Sequence, residues 1–180
     1  YEVGIYKISS TIAVYSHSLR NMVALVFFPI FTKFFKKSKD VRILKKILIY
    51  SLSLSLSVFV ILFLLSSYIV EITIFIFGAQ YKDSGDILAI LLFYSCFTWM
   101  TLPFTVAAQS LRKEVLILRI QLIMALTNII LNYYFYNVYG LIGIAYSTLV
   151  VYGLGGLSQT VYLYFNLKKE LIQNSKVYNL

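Results

Sequence analysis

The sequence is poor in the residues that build metal sites, disulfides and acid–base sites. Its 180 residues include one cysteine, one histidine, two prolines and seven acidic residues. A single cysteine excludes a disulfide within the chain and a CxxC site, and a single histidine excludes a zinc site built from histidine and cysteine. The few carboxylates are not paired at close helical spacing inside an apolar run, which argues against a carboxylate metal cluster. We therefore predict no metal ion and no cofactor.

Charge is scarce as well. Only 13% of the residues are charged, whereas a soluble domain has about 25%. Hydrophobic residues make up 60% of the chain, aromatic residues 17%, and the mean hydropathy is +0.82. Such a composition excludes a soluble enzyme and is far too apolar for a disordered chain. It predicts an all-α membrane protein.

Five apolar stretches reach the roughly 20 residues that an α-helix needs to cross the hydrocarbon of a bilayer. We predict membrane spans at residues 3–31, 47–70, 87–109, 115–136 and 140–165. The second stretch contains an alternation of serine and leucine that is typical of a strand, but its length favours a helix. Residues 32–46 are predicted to form a basic loop, and residues 166–180 a tail.

The net charge of +9 is distributed unevenly among the segments that join these stretches. Residues 33–46 contain seven basic residues against one acidic residue, and the tail is basic, whereas residues 71–86 are acidic overall. Because basic loops stay in the cytoplasm, this alternation predicts an outside N-terminus and a cytoplasmic C-terminus. We therefore expect membrane lipids and no nucleic acid as partners. The basic stretch also suits a short amphipathic helix that lies on anionic headgroups.

Arg20 is the most informative single residue, since it lies deep in the first predicted span. A charged side chain at that depth costs from about 2.5 to more than 10 kcal/mol, so it must face water or the protein interior. His17, Arg20 and Asn21 share one face of a helix. This polar stripe predicts either a cation in a substrate cavity, where it pairs with a group such as phosphate, or a polar contact with another helix.

Two amides, Asn128 and Asn132, lie four residues apart in the fourth span. Interhelical hydrogen bonds of this kind are packing devices worth about 0.6 kcal/mol each, and the alternative role is contact with sugar hydroxyls. Gly143 and Ser147 form a pair of small residues that permits close helix packing. No pattern of a nucleophile elbow, a P-loop or a dinucleotide-binding loop is present, so we predict that the chain is not an enzyme.

Four segments resemble bacterial polysaccharide flippases in their order and spacing. VGIYKIS (residues 3–9) is similar to the start of the eighth helix of those proteins, and FFPIFTKFFKKSKD (27–40) to the helix end and basic loop that follow it. IFIFGAQYKDSGDILAIL (74–91) is similar to the Phe-Gly-x-x-Tyr loop before the tenth helix. NIILNYYFYNVYGLIGIAYSTLV (128–150) resembles the strongest motif, Asn-x-x-x-Asn followed by Tyr-Gly-x-x-Gly-x-Ala. The family is the Wzx-type flippases of the multidrug/oligosaccharidyl-lipid/polysaccharide exporter superfamily.

The resemblance implies two helical lobes around a cavity that opens alternately to each side of the membrane. The five spans would form most of the second lobe, and their partner would be a missing N-terminal lobe of the same protein. The implied substrate is an undecaprenyl-pyrophosphate-linked oligosaccharide, flipped across the bacterial cytoplasmic membrane for O-antigen, capsule or teichoic acid synthesis. Family cavities are often cationic, as Arg20 would make this one.

Three other functions compete with this interpretation. A multidrug antiporter of the same superfamily would use acidic cavity residues, and no Asp or Glu lies deep in a predicted span. A membrane-embedded transferase would need an intramembrane histidine or carboxylate, and His17 is the only such candidate. A scaffold that transports nothing remains, because helix packing alone explains most of the polar residues.

Overall fold

The structure is a computed structural model, and it describes residues 2–37 and 42–177. These residues form five α-helices: α1 (Glu2–Lys37), α2 (Arg42–Phe77), α3 (Lys82–Ser110), α4 (Glu114–Tyr139) and α5 (Leu141–Val177). A short 3₁₀ turn, Ala79–Tyr81, leads into α3. All five helices are long and apolar enough to cross a membrane. The prediction of an all-helical protein with five candidate spans is therefore confirmed, including a helix for the serine–leucine alternation.

The helices are longer than the predicted spans. Residues 32–37 continue α1 and residues 42–46 begin α2, so most of the stretch expected as a loop is helical. The basic residues thus extend two long helices instead of forming a separate amphipathic one, and residues 38–41 lie outside the described part. Likewise, α5 continues to Val177, well into the expected tail. The length of an apolar run corresponds to the thickness of the bilayer hydrocarbon and not to the length of the helix. Lysine and arginine are good helix formers, so a helix can continue beyond the apolar run.

α3 is the central helix of the bundle. In its most apolar stretch 56% of the residues are buried, against 6% in α1 and 11% in α2 and α4. α1, α2 and α5 pack directly on α3, and α4 packs mainly on α5. The outward faces of α1, α2 and α4 are covered with exposed large apolar side chains. This distribution suits helices surrounded by lipid, which cannot be stabilised by hiding apolar surface from water.

Two apolar clusters occupy the two ends of the bundle. One joins α1, α3 and α5 near the start of the chain: Ile5, Ala13, Ile87, Leu91, Tyr94 and Ala145. The other joins all five helices at the opposite end: Phe35, Leu44, Ile47, Phe104, Ala107, Ala108, Ile117, Leu163, Leu167 and Leu171. Along α3, residues 95–103 separate the two clusters. The middle of the bundle is therefore the place where polar side chains can gather.

The turn between α3 and α4 is closed by backbone hydrogen bonds. Lys113 N–H donates to the Ala108 carbonyl at 2.8 Å, and Arg112 N–H donates to the Gln109 carbonyl at 3.0 Å. These two bonds form a Schellman motif, in which the residue after the helix takes a left-handed conformation and is usually glycine. Arg112 has a φ of 57° and occupies that position. The turn therefore holds an arginine in a backbone conformation that costs an L-residue about 1–2 kcal/mol.

Arg112→Gly should therefore raise the free energy of unfolding by about 1 kcal/mol, because glycine adopts a left-handed conformation without a Cβ clash. The measurement is denaturation of the purified chain in detergent. Lys169→Gly, in the exposed interior of α5, is the control and should lower the stability by about 1 kcal/mol. A less stable Arg112→Gly protein would contradict this account of the turn.

Candidate functional site

A polar cavity of about 120 Å³ lies between the two apolar clusters, where the middles of α1, α3 and α5 meet the side of α4. Its size corresponds to about four water molecules at about 30 Å³ each. The polar side chains that line it are His17, Arg20, Thr98, Thr101, Gln121, Tyr152 and Gln159. Arg20 is at the midpoint of α1, and Gln159 is at the midpoint of α5. Gln121, in contrast, is the eighth residue of α4, so the cavity lies inside the bundle toward the end at which α4 begins.

Arg20 reaches across to α3 with its guanidinium group. Nε donates to the Thr98 carbonyl at 2.8 Å, and Nη2 donates to Thr101 Oγ1 at 3.2 Å. A longer bond of 3.4 Å joins Nη1 to the side chain of Asn21. A guanidinium has five N–H donors, and these bonds use three of them. The remaining two N–H groups are available to a ligand or to water in the cavity.

No carboxylate neutralises this charge among the residues that the structure describes. Apart from Glu2, the first residue of α1, the acidic residues in that part of the chain are Glu71, Asp83, Asp86, Glu114 and Glu170. All of them lie within about two helical turns of a helix end, whereas Arg20 is at a helix midpoint. The described ion pair, between Lys113 and Glu170 at 2.8 Å, also lies at the end of the bundle. The cavity thus has a net positive charge.

Backbone carbonyls of α3 accept hydrogen bonds from two other helices. Arg20 from α1 donates to the Thr98 carbonyl, and Ser51 from α2 donates to the Met100 carbonyl. These two acceptors are the neighbours of Trp99, whose own carbonyl lacks an intrahelical donor because Pro103, four residues later, has no N–H. The interhelical bonds thus lie next to the point where the proline interrupts the backbone bonding of α3.

His17 lines the cavity but is held by α3. Its Nε2 shares a hydrogen bond with the Tyr94 hydroxyl, and the two rings stack with centroids 5.1 Å apart. Beside it, Ser16 donates to Ser95 at 3.1 Å. His17 therefore contributes to the contact between α1 and α3 as well as to the wall of the cavity.

Asn21, the third residue of the predicted stripe, does not line the cavity. It is exposed on α1, and its described contact is the long bond from Arg20. Its spacing of four residues from His17 places Asn21 at the edge of the same helix face. The part of that face that lines the cavity is therefore narrower than the predicted polar stripe.

Asn128 and Asn132 lie away from the cavity, in the contact between α4 and α5. Asn132 Nδ2 donates to Asn128 Oδ1 at 3.0 Å, and Ser147 of α5 donates to Asn132 Oδ1. A Cβ added to Gly143 would overlap the carbonyl of Phe135 in α4, which confirms the predicted close approach. Asn128 Nδ2 is buried without a hydrogen-bond partner in the described part of the chain. The structure thus places these amides in a packing contact, apart from Arg20.

Sequence reasoning did not assign five of the cavity residues: Thr98, Thr101, Gln121, Tyr152 and Gln159. The sequence of α5 did contain a pattern that indicates a cavity-lining face, because Tyr152, Gly156 and Gln159 follow the i, i+4, i+7 spacing of one helix face. Gln159 is 4% exposed and donates to Thr105 at 3.3 Å. A buried amide at the midpoint of an apolar helix indicates a polar interior in the same way as Arg20 does.

Comparison of the chain with protein-family models, with curated proteins and with solved structures gives no match. The function must therefore be inferred from the chemistry of the cavity and from the resemblance of the four sequence segments.

Proposed function

We propose that this chain is part of a membrane transporter that flips undecaprenyl-pyrophosphate-linked oligosaccharides across the bacterial cytoplasmic membrane by alternating access. The observation that carries the proposal is an arginine at the midpoint of a membrane helix, in a polar cavity with no neutralising carboxylate among the described residues. A pyrophosphate supplies negative charge in a geometry that two guanidinium N–H groups match bidentately. The resemblance of the four sequence segments points to the same substrate class.

The size of the cavity restricts what this chain contributes. About 120 Å³ holds a phosphate-sized group but no oligosaccharide. In the proposed two-lobe protein, Arg20 binds the pyrophosphate, while the glycan occupies the larger space between the lobes. Asn21, exposed beside Arg20 on α1, would face that space. Asn128 and Asn132 would act through the packing of α4 on α5 and not through sugar contacts.

The proposed orientation places the N-terminus of the chain outside and the C-terminus in the cytoplasm. In a Cys96→Ser background, a cysteine at position 83 should react with an impermeant reagent added to intact cells. A cysteine at position 33 should react only after the membrane is permeabilised. Both positions lie at described helix ends, at opposite ends of the bundle. Labelling of both from the same side would contradict the orientation.

The function is tested in cells that carry the natural reading frame containing this chain. Deletion of that frame should trap lipid-pyrophosphate-linked oligosaccharide in the cytoplasmic leaflet, where an enzyme added outside spheroplasts cannot digest it. Expression of the wild-type frame should restore digestion and surface glycan. Unchanged digestion after deletion would refute the proposal.

One observation favours a second candidate, a scaffold that transports nothing. Two of the three described hydrogen bonds of Arg20 hold α1 against α3. If Arg20 only joins helices, deletion of the frame should disturb the assembly of other membrane proteins and leave lipid-linked oligosaccharides correctly distributed. The same digestion assay therefore separates the two functions.

A further inference from the structure

A second recess lies on the outer surface of the bundle, next to the Arg20 cavity, with which it shares Met124 as a wall. It is a groove between α4 and α5 with a volume of about 510 Å³. Its walls are mostly aliphatic, and Gly155, which has no side chain, lets the side chain of Met124 lie against α5 in its floor. Arg119 and Tyr162 flank one end of the groove, while Leu131 and Val150 flank the other. We infer that this groove binds one acyl chain of an anionic phospholipid, with the lipid phosphate at Arg119.

The length of the groove matches one leaflet of a bilayer. On α4 it runs from Arg119 to Leu131, and on the antiparallel α5 it runs from Tyr162 to Val150. Each wall is thus about 18 Å long at about 1.5 Å per residue. One leaflet of hydrocarbon is about 15 Å thick. A lipid whose headgroup lies at Arg119 therefore ends its acyl chain near Leu131.

The width of the groove selects its occupant. The centre of a water molecule can move within about 510 Å³ over about 18 Å of length. With the radius of that molecule, about 1.4 Å, added at each wall, the channel is about 9 Å across. A helix of a second copy of the chain is about 10–12 Å wide and does not enter it. A single hydrocarbon chain, with carbon–carbon contacts of about 4 Å, does enter.

The charge at the mouth selects an anionic headgroup. Arg119 is exposed and makes no salt bridge within the described part of the chain. It lies in the second turn of α4, six residues after Lys113, which with Arg112 forms a cationic pair in the turn before α4. Long basic side chains at this depth extend toward the headgroups. Tyr162 beside it is an amphipathic residue of the kind that is enriched at that level. This inference is independent of the proposed transport function.

The test is native mass spectrometry of the full chain in detergent, titrated with phosphatidylglycerol or with phosphatidylcholine of the same acyl chains. We expect saturable binding of one phosphatidylglycerol, about fivefold tighter than phosphatidylcholine, the effect of one basic residue near a headgroup. Arg119→Gln should remove this preference. Thr127→Phe, which fills the middle of the groove, should weaken the binding of both lipids.

Lys45→Gln is the matched control, because Lys45 is an exposed cation near the same end of the bundle but outside the groove. It should bind both lipids as the wild type does. Equal binding of the two lipids by the wild type, or an unchanged preference in Arg119→Gln, would overturn the inference. So would dimers of the chain that appear in place of lipid adducts.

Discussion

Arg20→Ala is expected to abolish export of the lipid-linked oligosaccharide while the protein still inserts into the membrane. The substitution removes the only charge among the side chains that line the cavity when His17 is neutral. It therefore removes the group that would hold the pyrophosphate. Loss of one charge-assisted contact with a buried anion costs about 2–5 kcal/mol, which corresponds to a reduction in binding of at least about thirtyfold. Arg20→Lys should retain part of the activity, because the charge survives and the planar pair of donors does not.

Two controls separate substrate binding from helix packing. Ser16→Ala, one turn away on the same helix, removes a hydrogen bond between α1 and α3 without any change of charge, so it should export normally. The quantity to measure is export per molecule of inserted protein. If Arg20→Ala lowers only the amount of protein, and each surviving molecule exports normally, then Arg20 joins helices and does not contact substrate.

Gly85→Ala is expected to destabilise the fold, because the added methyl group would face the backbone of a neighbouring helix. A Cβ at position 85 would lie 2.9 Å from the Cα of Val70 and 3.2 Å from its Cγ2. Backbone atoms cannot move aside as the end of a side chain can, so α2 and α3 must separate. Overpacking of this kind costs about 1–3 kcal/mol. Ser84, next to it, would also lose its place against α1, where it exchanges hydrogen bonds with Ser9 and Ile5.

Gly4→Ala is the matched control for this prediction, since a Cβ at position 4 meets nothing within 4 Å. It should leave stability unchanged or raise it by up to about 1 kcal/mol through helix propensity. Thermal denaturation in detergent, followed by the fluorescence of the single tryptophan, Trp99, measures both variants. Equal melting temperatures for the two would show that α2 and α3 do not approach as closely as the structure indicates.

The energetics of Arg20 bear on how a transporter would work. Hydrogen bonds to a charged group contribute about 1.5–3 kcal/mol each, and Arg20 makes three within the chain. Together they offset the lower estimates of the cost of a buried arginine, which begin at about 2.5 kcal/mol. These hydrogen bonds can thus hold the charge in the cavity without an anion. A protein that must release its substrate on each cycle requires this property.

Much of the protein follows from the sequence itself, because the relevant physics is local. An apolar run of sufficient length must be a helix in a bilayer, since lipid offers no partner to the backbone, and each run was found in a helix. The depth of Arg20 in its run likewise required a polar environment. The small pair Gly143 and Ser147 predicted a close helix contact for an equally local reason, since no large side chain separates the backbones.

The tertiary structure alone decided which helix lies at the centre and which polar residues meet. The periodicity of a sequence indicates which face of a helix is polar, but not which other helix that face contacts. The sequence therefore predicted that Arg20 needs polar partners, but it did not identify them. Packing of α1 and α5 on the central α3 brings Thr98, Thr101 and Gln159 into the same cavity as Arg20. The same packing leaves Asn128 and Asn132 in a separate contact with Ser147. Residues that are far apart in the chain form one cavity only when their helices pack against each other. Which helices pack together depends on the shapes of several helix surfaces at once.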